Sequence, residues 1–391
     1  MTELTPNRVL MGRGFAGQIV ELSGLKQSWS CGHSALASSD PFAVLRAMEH
    51  ALNEGEVIAG WLGYECALAL EPGLALPTPP LDVPAAWLGV FAEASPPRRP
   101  NPFDRQISPD SVVMGDGREL YQSRVETIRQ RITRGDVFQV NYSHRQSAQF
   151  PPSDERLIDR LPWQEALRAD YGALFDLGDV SVVSASPELF LSLEDRLLAA
   201  EPVKGTRPRH ADPEIDHQLL QDLIGDQKDR AENIMIADLM RNDLSKVVED
   251  GSMREPIICG ARSYEHVHHL YSRIEGQLRA GFVFADALAA AFPCGSVTGA
   301  PKLAAMKAIA ELEGEGRGPY CGALVYRPYG NKAVASVAIR TAVVDEATRA
   351  VHVRSGGGVT ILSDPETEYN EAIDKGYLFR HLAGQHDPYH R

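Results

Sequence analysis

The sequence predicts an α+β protein built on one large sheet, with helices set around it. Three observations carry this. Segments with strand spacing and segments with helical spacing interleave without strict strand–helix–strand alternation, which argues against a doubly wound parallel sheet. The chain has 391 residues, 43% hydrophobic and 24% charged, enough for one big core or two. Ten prolines fall between Glu71 and Ser111, including PTPP and SPPRRPNP, and break regular structure into extended connection or edge structure. That stretch sets a boundary between an N-terminal region packed on the core, 1–110, and a larger region, 111–391.

Taken in chain order, VIAGWLGYEC (57–66) is an apolar, aromatic run that reads as a buried strand. RELYQSRVETIRQRITRGD has helical spacing and stops at Gly135, and VFQVNYSHRQSAQF then reads as a strand. VSVVSASPELFLSLEDRLLAA reads as two strands joined at Ser186-Pro187. From Pro213 to Val248 the pattern is helical throughout. APKLAAMKAIAELEG is a helix with Pro301 near its start and Gly314 past its end. NKAVASVAIRTAVVD and RAVHVRSGGG are strands, and SDPETEYNEAIDKGYLF is a helix with Asp364 as N-cap and Pro365 at the first position.

The net charge is −14, from 39 Lys plus Arg against 53 Asp plus Glu. Such a chain is a poor general binder of nucleic acid or anionic membrane, so an anionic ligand has to be met by a local cluster of cations. No apolar run approaches the roughly 18 residues of a membrane span. No apolar segment of a secretory signal is visible at the N-terminus. The cysteines, Cys31, Cys66, Cys259, Cys294 and Cys321, are scattered and lack C-x-x-C spacing. This argues against a zinc site or disulfide framework and suits a reducing, cytoplasmic setting.

Several residues stand out chemically. Glu368, Glu371 and Lys375 share one helix face. By pattern alone they suit either a solvated ion pair or two carboxylates for a hard cation such as Mg²⁺, with Glu232 in the middle of DRAENIMIADLMRND as a further ligand. Gly356, Gly357 and Gly358 follow a strand, where backbone N–H groups can turn together toward an anion. Arg340 shares a strand face with Ser336 and Ala338, which leaves room for a carboxylate against its guanidinium. Glu188 lies between a proline and an apolar run, where a carboxyl withdrawn from water can act as general acid. In EHVHHLYSRIEG the spacing of His266, His268 and His269 is no zinc pattern, but one of them can contact a substrate. Lys204, in PVKGTRPR, reads alone as one more cation in a basic turn.

Together the motifs GDVFQVNYSHR, SPELFL, PVKGTRPR, AENIMIADLMRND, VHHLYSRIEG, FPCGSVTGAPK, PYCGALVY, SVAIRT and SGGGV…EYNEAIDK resemble, in order, those of the chorismate-utilising enzymes, over roughly residues 115–385. GWLGYE, near residue 60, is similar to the family's N-terminal region. The resemblance implies an α+β sandwich of two curved antiparallel sheets with helices outside, and a Mg²⁺-bound chorismate substrate. It implies Glu232 and Glu371 as metal carboxylates with Glu368 beside them through water. It implies Tyr320, Arg340, Gly357, Gly358 and Lys375 as groups that hold substrate carboxylates, and His269, Thr298, Thr206 and Gln139 as substrate-pocket residues. Glu188 resembles the acid that helps the ring hydroxyl leave.

Two positions sort the chain within the family. Gln139 stands where water-using members carry a lysine, so the resemblance implies ammonia as nucleophile. Lys204 stands where the anthranilate-forming branch carries alanine, and is similar to the branch that makes 4-amino-4-deoxychorismate for p-aminobenzoate and folate. There Lys204 is the covalent nucleophile, a role that needs an uncharged amine, which like charge from Arg207 and Arg209 would favour. An anthranilate-forming component that releases pyruvate and a non-catalytic chorismate-binding regulator are the alternatives. None of the five cysteines lies in the G-x-C-x-G turn of a glutaminase, so the resemblance implies a separate glutaminase subunit as ammonia source. The chain departs from the family pattern at Cys294 and Ser245, where glycine is usual, and at Tyr142, where leucine is usual. No form of the family's tryptophan-feedback motif, L-L-E-S, is visible near VELSGLKQSWS.

Overall fold

A computed structural model describes residues 4–97, 107–264 and 267–376 of the chain. Eighteen strands among these residues form one continuous, antiparallel sheet. One arm runs, neighbour by neighbour, through Arg254–Ser263, Val267–Gln277, Leu197–Ala200, Leu189–Glu194, Lys332–Val337, Ala323–Pro328, Val57–Leu62, Ala86–Ser95 and Val20–Cys31. The other runs through Tyr171–Asp176, Val180–Ser186, Thr341–Asp345, Ala350–Val359 and Gln139–Gln149. Arg8–Met11 joins them, paired with Val20–Cys31 on one side and Tyr171–Asp176 on the other.

The arms fold over each other because both carry large apolar side chains on their facing sides. Trp61, Trp87 and Phe91 of the first arm form one buried cluster with Phe175, Val182 and Val343 of the second. The Trp61 and Phe175 rings meet edge to face with centroids 5.6 Å apart. The two layers of the sandwich are thus halves of a single sheet. Helices cover the outsides. Pro41–Ala51, Gln227–Ser245 and Phe284–Ala291 bury Phe42, Met240 and Leu288 against the first arm. Arg118–Thr133, Lys302–Glu313 and Pro365–Lys375 bury Ile128, Ile309 and Ala372 against the second. Asp364 caps the last of these, accepting from the Thr367 N–H at 2.9 Å.

The chain departs from the sequence expectation at five places. Ala86–Ser95, inside the proline-rich stretch, is itself free of proline and lies between two other strands rather than at an edge. Part of that stretch, 98–106, lies outside the described residues. LEDRLLAA holds a further hairpin, turned by Asp195 and Arg196 at φ 46° and 69° without a glycine. The long helical stretch is two helices, Pro213–Gly225 and Gln227–Ser245, divided at Asp226, whose side chain caps the second. NKAVASVAIRTAVVD is two strands on different arms, Lys332–Val337 and Thr341–Asp345, and Arg340 between them has φ 50°. VIAGWLGYEC is strand only over Val57–Leu62 and then coils into a 3₁₀ turn from Tyr64.

The break at Arg340 has a partner. The chain also passes from the second arm to the first at Ser186-Pro187-Glu188. The two crossings run side by side: the Ser186 hydroxyl donates to Val337 O at 2.6 Å, Val337 N–H to Glu188 O at 3.1 Å and Ala185 N–H to Arg340 O at 2.9 Å. Glu188 and Arg340 therefore sit at the seam between the arms.

Candidate active site

At this seam opens a cleft of about 440 Å³. PVKGTRPR does not form a simple turn. It is the strand Val203–Pro208, with a bulge between Val203 and Thr206 in its pairing to Val267–Gln277. Gly205 makes the bulge possible, with φ 85° and with Asp229 so close that a Cβ would lie 2.8 Å from its carboxyl. The bulge leaves Lys204 on the cleft wall, its Nζ donating to Ser296 O at 3.1 Å. Arg207 and Arg209 do not bring net positive charge to it. Arg207 pairs with Asp226 at 2.9 Å and Asp229 at 3.1 Å, and Arg209 with Asp216 at 2.9 Å.

Glu188 also faces the cleft and is 5% exposed. Burial raises its pKa, opposed by a hydrogen bond from Ser296 and by the charges of Lys204 and Lys375. A carboxyl held protonated beyond the usual range beside an amine suits acid chemistry.

The acidic wall comes from two helices. Glu232 projects from Gln227–Ser245, and Glu368 and Glu371 from Pro365–Lys375. Burial raises the pKa of Glu232, and burial and then the Glu371 charge raise that of Glu368. Lys375 holds Glu371 below the usual range through an ion pair of 2.5 Å. Lys228 stands 3.4 Å from Glu368 and 4.0 Å from Glu232. Gly357 lies beneath this set: a Cβ there would be 3.1 Å from Glu368 Oε2, 3.6 Å from Lys375 Nζ and 3.7 Å from Glu371 Oε1. Among the described residues no three ligating side chains gather on one point, so the three carboxylates are not a ready-made metal cage. Hard oxygen donors, with a buried Glu232 Oε1 that has no hydrogen bond among the described residues and only Lys228 at 4.0 Å, still suit a cation that takes one or two carboxylates and fills its shell from substrate and water.

The other expected site residues are placed as follows. Tyr320, Arg340, Thr206 and His269 line the cleft, and Thr206 and His269 are cross-strand partners. Burial, then Arg340 and Arg262, pushes His269 down to about 4, so it is neutral at pH 7. His266 lies outside the described residues. The glycines form no anion-binding turn. They stay within the strand Ala350–Val359, whose ladder to Thr341–Asp345 ends at Val353, so one edge borders the cleft. They are required by close approach: a Cβ on Gly358 would lie 2.1 Å from Gln139 Nε2 and 3.5 Å from Lys204 Nζ. Gln139 is thus packed against Gly358 on the side that carries Lys204, and is not itself among the residues that line the cleft. Thr298 is not on the cleft wall; it is fully buried and its hydroxyl donates to Cys294 O at 3.1 Å.

Sequence reasoning passed over Lys228, Ser296, Asn141 and Arg354, all of which line the cleft. Lys228 had a local signal, its i,i+4 spacing to Glu232. Arg354 sits in VHVRSGGG and is buried on Glu313 at 2.9 Å and Glu315 at 2.7 Å. Glu188 Oε1, Glu232 Oε1, His269 Nδ1, Asn141 Oδ1 and Gln139 Oε1 are buried with no hydrogen-bond partner among the described residues. Such groups are uncommon in a folded interior, and their gathering here marks a site built for a polar ligand.

The model of the chorismate binding enzyme family matches residues 7–380. This chain belongs to that family. The chorismate-binding fold is also that of solved structures. Anthranilate synthase component I from Streptococcus pneumoniae superposes with a TM-score of 0.74 at 26% identity, covering 95% of this chain and 89% of that one. The menaquinone-specific isochorismate synthase of Escherichia coli gives 0.74 at 18% identity, covering 98% and 89%, and shows the fold alone. Among curated relatives, anthranilate synthase component 1 1 of Haloarcula marismortui is 42% identical over 259 residues, 66% of this chain and 52% of its own length. Aminodeoxychorismate synthase component 1 of Salmonella typhimurium is 39% identical over 255 residues, 65% and 55%. The chain thus spans about half the length of the curated relatives it matches. No helix among the described residues is long and apolar enough to cross a membrane.

Proposed function

We propose that this chorismate-binding enzyme converts chorismate and ammonia to 4-amino-4-deoxychorismate and water, with Lys204 as covalent nucleophile. The observation that carries the reading is the amine of Lys204 on the cleft wall, tethered at 3.1 Å to Ser296 O and beside the buried acid Glu188. The Lys204 amine forms a bond to ring carbon C2. Both ring double bonds shift, and the C4 hydroxyl leaves as water with a proton from Glu188. Ammonia then bonds to C4 and sheds a proton, both double bonds return, and the C2–nitrogen bond breaks to release the lysine.

Tyr320, Arg340, Lys375 and the Gly357-Gly358 edge hold the substrate carboxylates, with neutral His269 and Thr206 as hydrogen-bonding neighbours. Glu232 and Glu371 would hold magnesium, with Glu368 through water; when bound, the ion supplies positive charge to a substrate carboxylate. Gln139 offers no base to activate water, which supports ammonia as the second nucleophile. The component 1 names of the relatives support a separate glutaminase subunit that supplies ammonia from glutamine. The product serves p-aminobenzoate and folate synthesis.

The 42% identical relative named for anthranilate synthesis keeps a second reading open, formation of anthranilate and pyruvate. Purified protein given chorismate, Mg²⁺ and an ammonium salt is expected to make aminodeoxychorismate and little pyruvate. Stoichiometric anthranilate and pyruvate would decide for the second reading. Without ammonia, intact-protein mass spectrometry is expected to show an adduct of chorismate minus water, mapped to PVKGTRPR and absent in Lys204→Ala. A Lys204→Ala protein that makes aminodeoxychorismate at the parent rate would reduce Lys204 to a cation on a strand.

A further inference from the structure

The proposed reaction holds one substrate against both Lys204 and the carboxylate of Glu232. Lys204 is on the strand Val203–Pro208 and Glu232 on the helix Gln227–Ser245, so their spacing is set by how that strand sits on that helix. A misplacement of about 1 Å between reacting groups can cost on the order of 10²-fold in rate. Asn233, the residue after Glu232, reaches across this junction. Its Nδ2 donates to Pro202 O at 3.2 Å, two residues before Lys204. We infer that Asn233 is a positioning residue that fixes Lys204 relative to Glu232. The inference rests on the reading of Lys204 and Glu232 given above.

The strand's own ladder leaves this task undone. Val203 pairs with Tyr271 and Thr206 with His269, and the bulge skips Lys204 and Gly205 between them. The helix makes up for it with one face. Asp226 caps the helix, and Asp229 and Asn233 follow four residues apart. After Lys204, Arg207 donates to Asp226 at 2.9 Å and to Asp229 at 3.1 Å, and Gly205 packs on the Asp229 carboxyl. Before Lys204, Asn233 holds Pro202. The two fastenings differ in kind. Arg207 is partly exposed, so water competes for its pairs. Asn233 is fully buried, and a donor lost there is not replaced by solvent.

The amide is oriented by its other partners. The Ser272 hydroxyl donates to Asn233 Oδ1, and Cys259 Sγ lies 3.7 Å from the same oxygen. The Ser272 oxygen accepts from the Cys259 N–H at 3.0 Å, which leaves its hydrogen for Asn233. Pro202 O can only accept, so the NH₂ end of the amide has to face it. The Ser272 N–H also donates to Pro202 O at 3.2 Å. That carbonyl is thus held by the neighbouring strand and by the helix, and only the bond to the helix relates it to Glu232. Val203, Lys204 and Glu232 line the cleft and Asn233 does not, so Asn233 acts through its neighbours and not on the substrate.

The experiment compares the parent with Asn233→Leu, Asn233→Ala, Ser272→Ala and the double variant Asn233→Leu/Ser272→Ala, using chorismate, Mg²⁺ and ammonium salt below each thermal midpoint. Leucine fills nearly the same space as asparagine without its hydrogen bonds, and Asn233→Ala decides where leucine does not fit. Either change is expected to lower kcat for chorismate consumption, and adduct formation on Lys204 without ammonia, by about 10- to 100-fold. Chorismate KM and its Mg²⁺ dependence are expected to stay within about 3-fold of the parent, because Glu232 keeps its place on the helix. Ser272→Ala leaves the amide without its guide, so a smaller loss of kcat is expected. In the double variant it is expected to add less than about 3-fold, since both act along one path. A folded Asn233 variant with parent-like kcat would overturn the inference. So would Mg²⁺-dependent chorismate binding lost in proportion to kcat, as general loosening would give, or losses that multiply in full in the double variant. The reading of the reaction is judged apart from this, on the parent's product and adduct, so either can fail alone.

Discussion

Around Gly357 the acidic residues and the lysines balance almost one for one. Lys375 answers Glu371, and Lys228 stands between Glu232 and Glu368. A divalent cation entering here exchanges weak lysine contacts for stronger charge, so each carboxylate matters to its retention. Glu232→Gln and Glu371→Gln are each expected to weaken the Mg²⁺ dependence of chorismate binding by at least about tenfold and to stop turnover. Titration curves that overlay the parent's would make these carboxylates structural. Glu188 gives a second test at this scale. An acid works protonated, so rate is lost as pH rises through its pKa, and burial sets that pKa above the ordinary carboxylate range. With saturating chorismate, kcat measured from about pH 5 to about pH 9 is expected to show a falling limb above the pH of an ordinary carboxylate. A limb already complete by about pH 5 would mean that Glu188 is not the acid.

At the scale of elements, the glycine strand and the bulged lysine strand press together through Gln139. Gly358→Ala puts a methyl 2.1 Å from Gln139 Nε2. The buried Gln139 side chain has to shift, and Lys204 Nζ would lie 3.5 Å from the same methyl, so the displacement takes place beside the lysine. The variant is expected to lose about 1–3 kcal/mol of stability from overpacking and most of its turnover; parent-like activity would show that this wall has slack. Much of this architecture was legible in the sequence. Asp364-Pro365 marked the last helix, Gly314 closed another, and alternation marked the long strands. Glu232, Glu371, Glu188 and Lys204, which all line the cleft, could be singled out because each sits in a motif whose residues are neighbours in the chain. The misses have a common cause. The hairpin at Asp195-Arg196 uses positive φ without glycine, so nothing in composition announced it. The strand break at Arg340 is dictated by a crossing between arms, which local alternation does not register. Thr298 was read as a pocket residue from its motif alone, but its hydroxyl is spent on the backbone of the Gly295–Val297 turn. Ser296 and Arg354 were passed over because their partners lie far off in the chain: Lys204 for one, Glu313 and Glu315 for the other.

The whole molecule is one sheet doubled over, and the cleft lies where its arms meet. Lys204 belongs to the first arm and Glu232 to a helix packed on it. Gly357 and Gly358 belong to the second arm, and Glu371 to its helix. Glu188 and Arg340 sit at the two crossings. Catalysis therefore depends on how firmly the arms stay docked, even at residues remote from the site. Phe175 is the sharpest test. It is fully buried in the second arm, with its ring 5.6 Å from Trp61 and 6.1 Å from Trp87 in the first. Both tryptophans are also pinned by their indole N–H groups, Trp61 to Pro84 O and Trp87 to Leu4 O, each at 3.1 Å. They cannot easily collapse into the space that a truncated neighbour leaves, which places Phe175→Ala toward the costly end of cavity-forming changes, about 3–5 kcal/mol. Its thermal midpoint is expected to fall by roughly 5–10 °C. Because the arms are one sheet joined at Arg8–Met11, tryptophan fluorescence and turnover are expected to be lost together on heating. Below the transition, chorismate KM is expected to stay near the parent's, since Phe175 touches no cleft residue named here. Fluorescence that melts well before activity would show that the first arm loosens while the site survives, and that the arms are separate units rather than halves of one cooperative sheet.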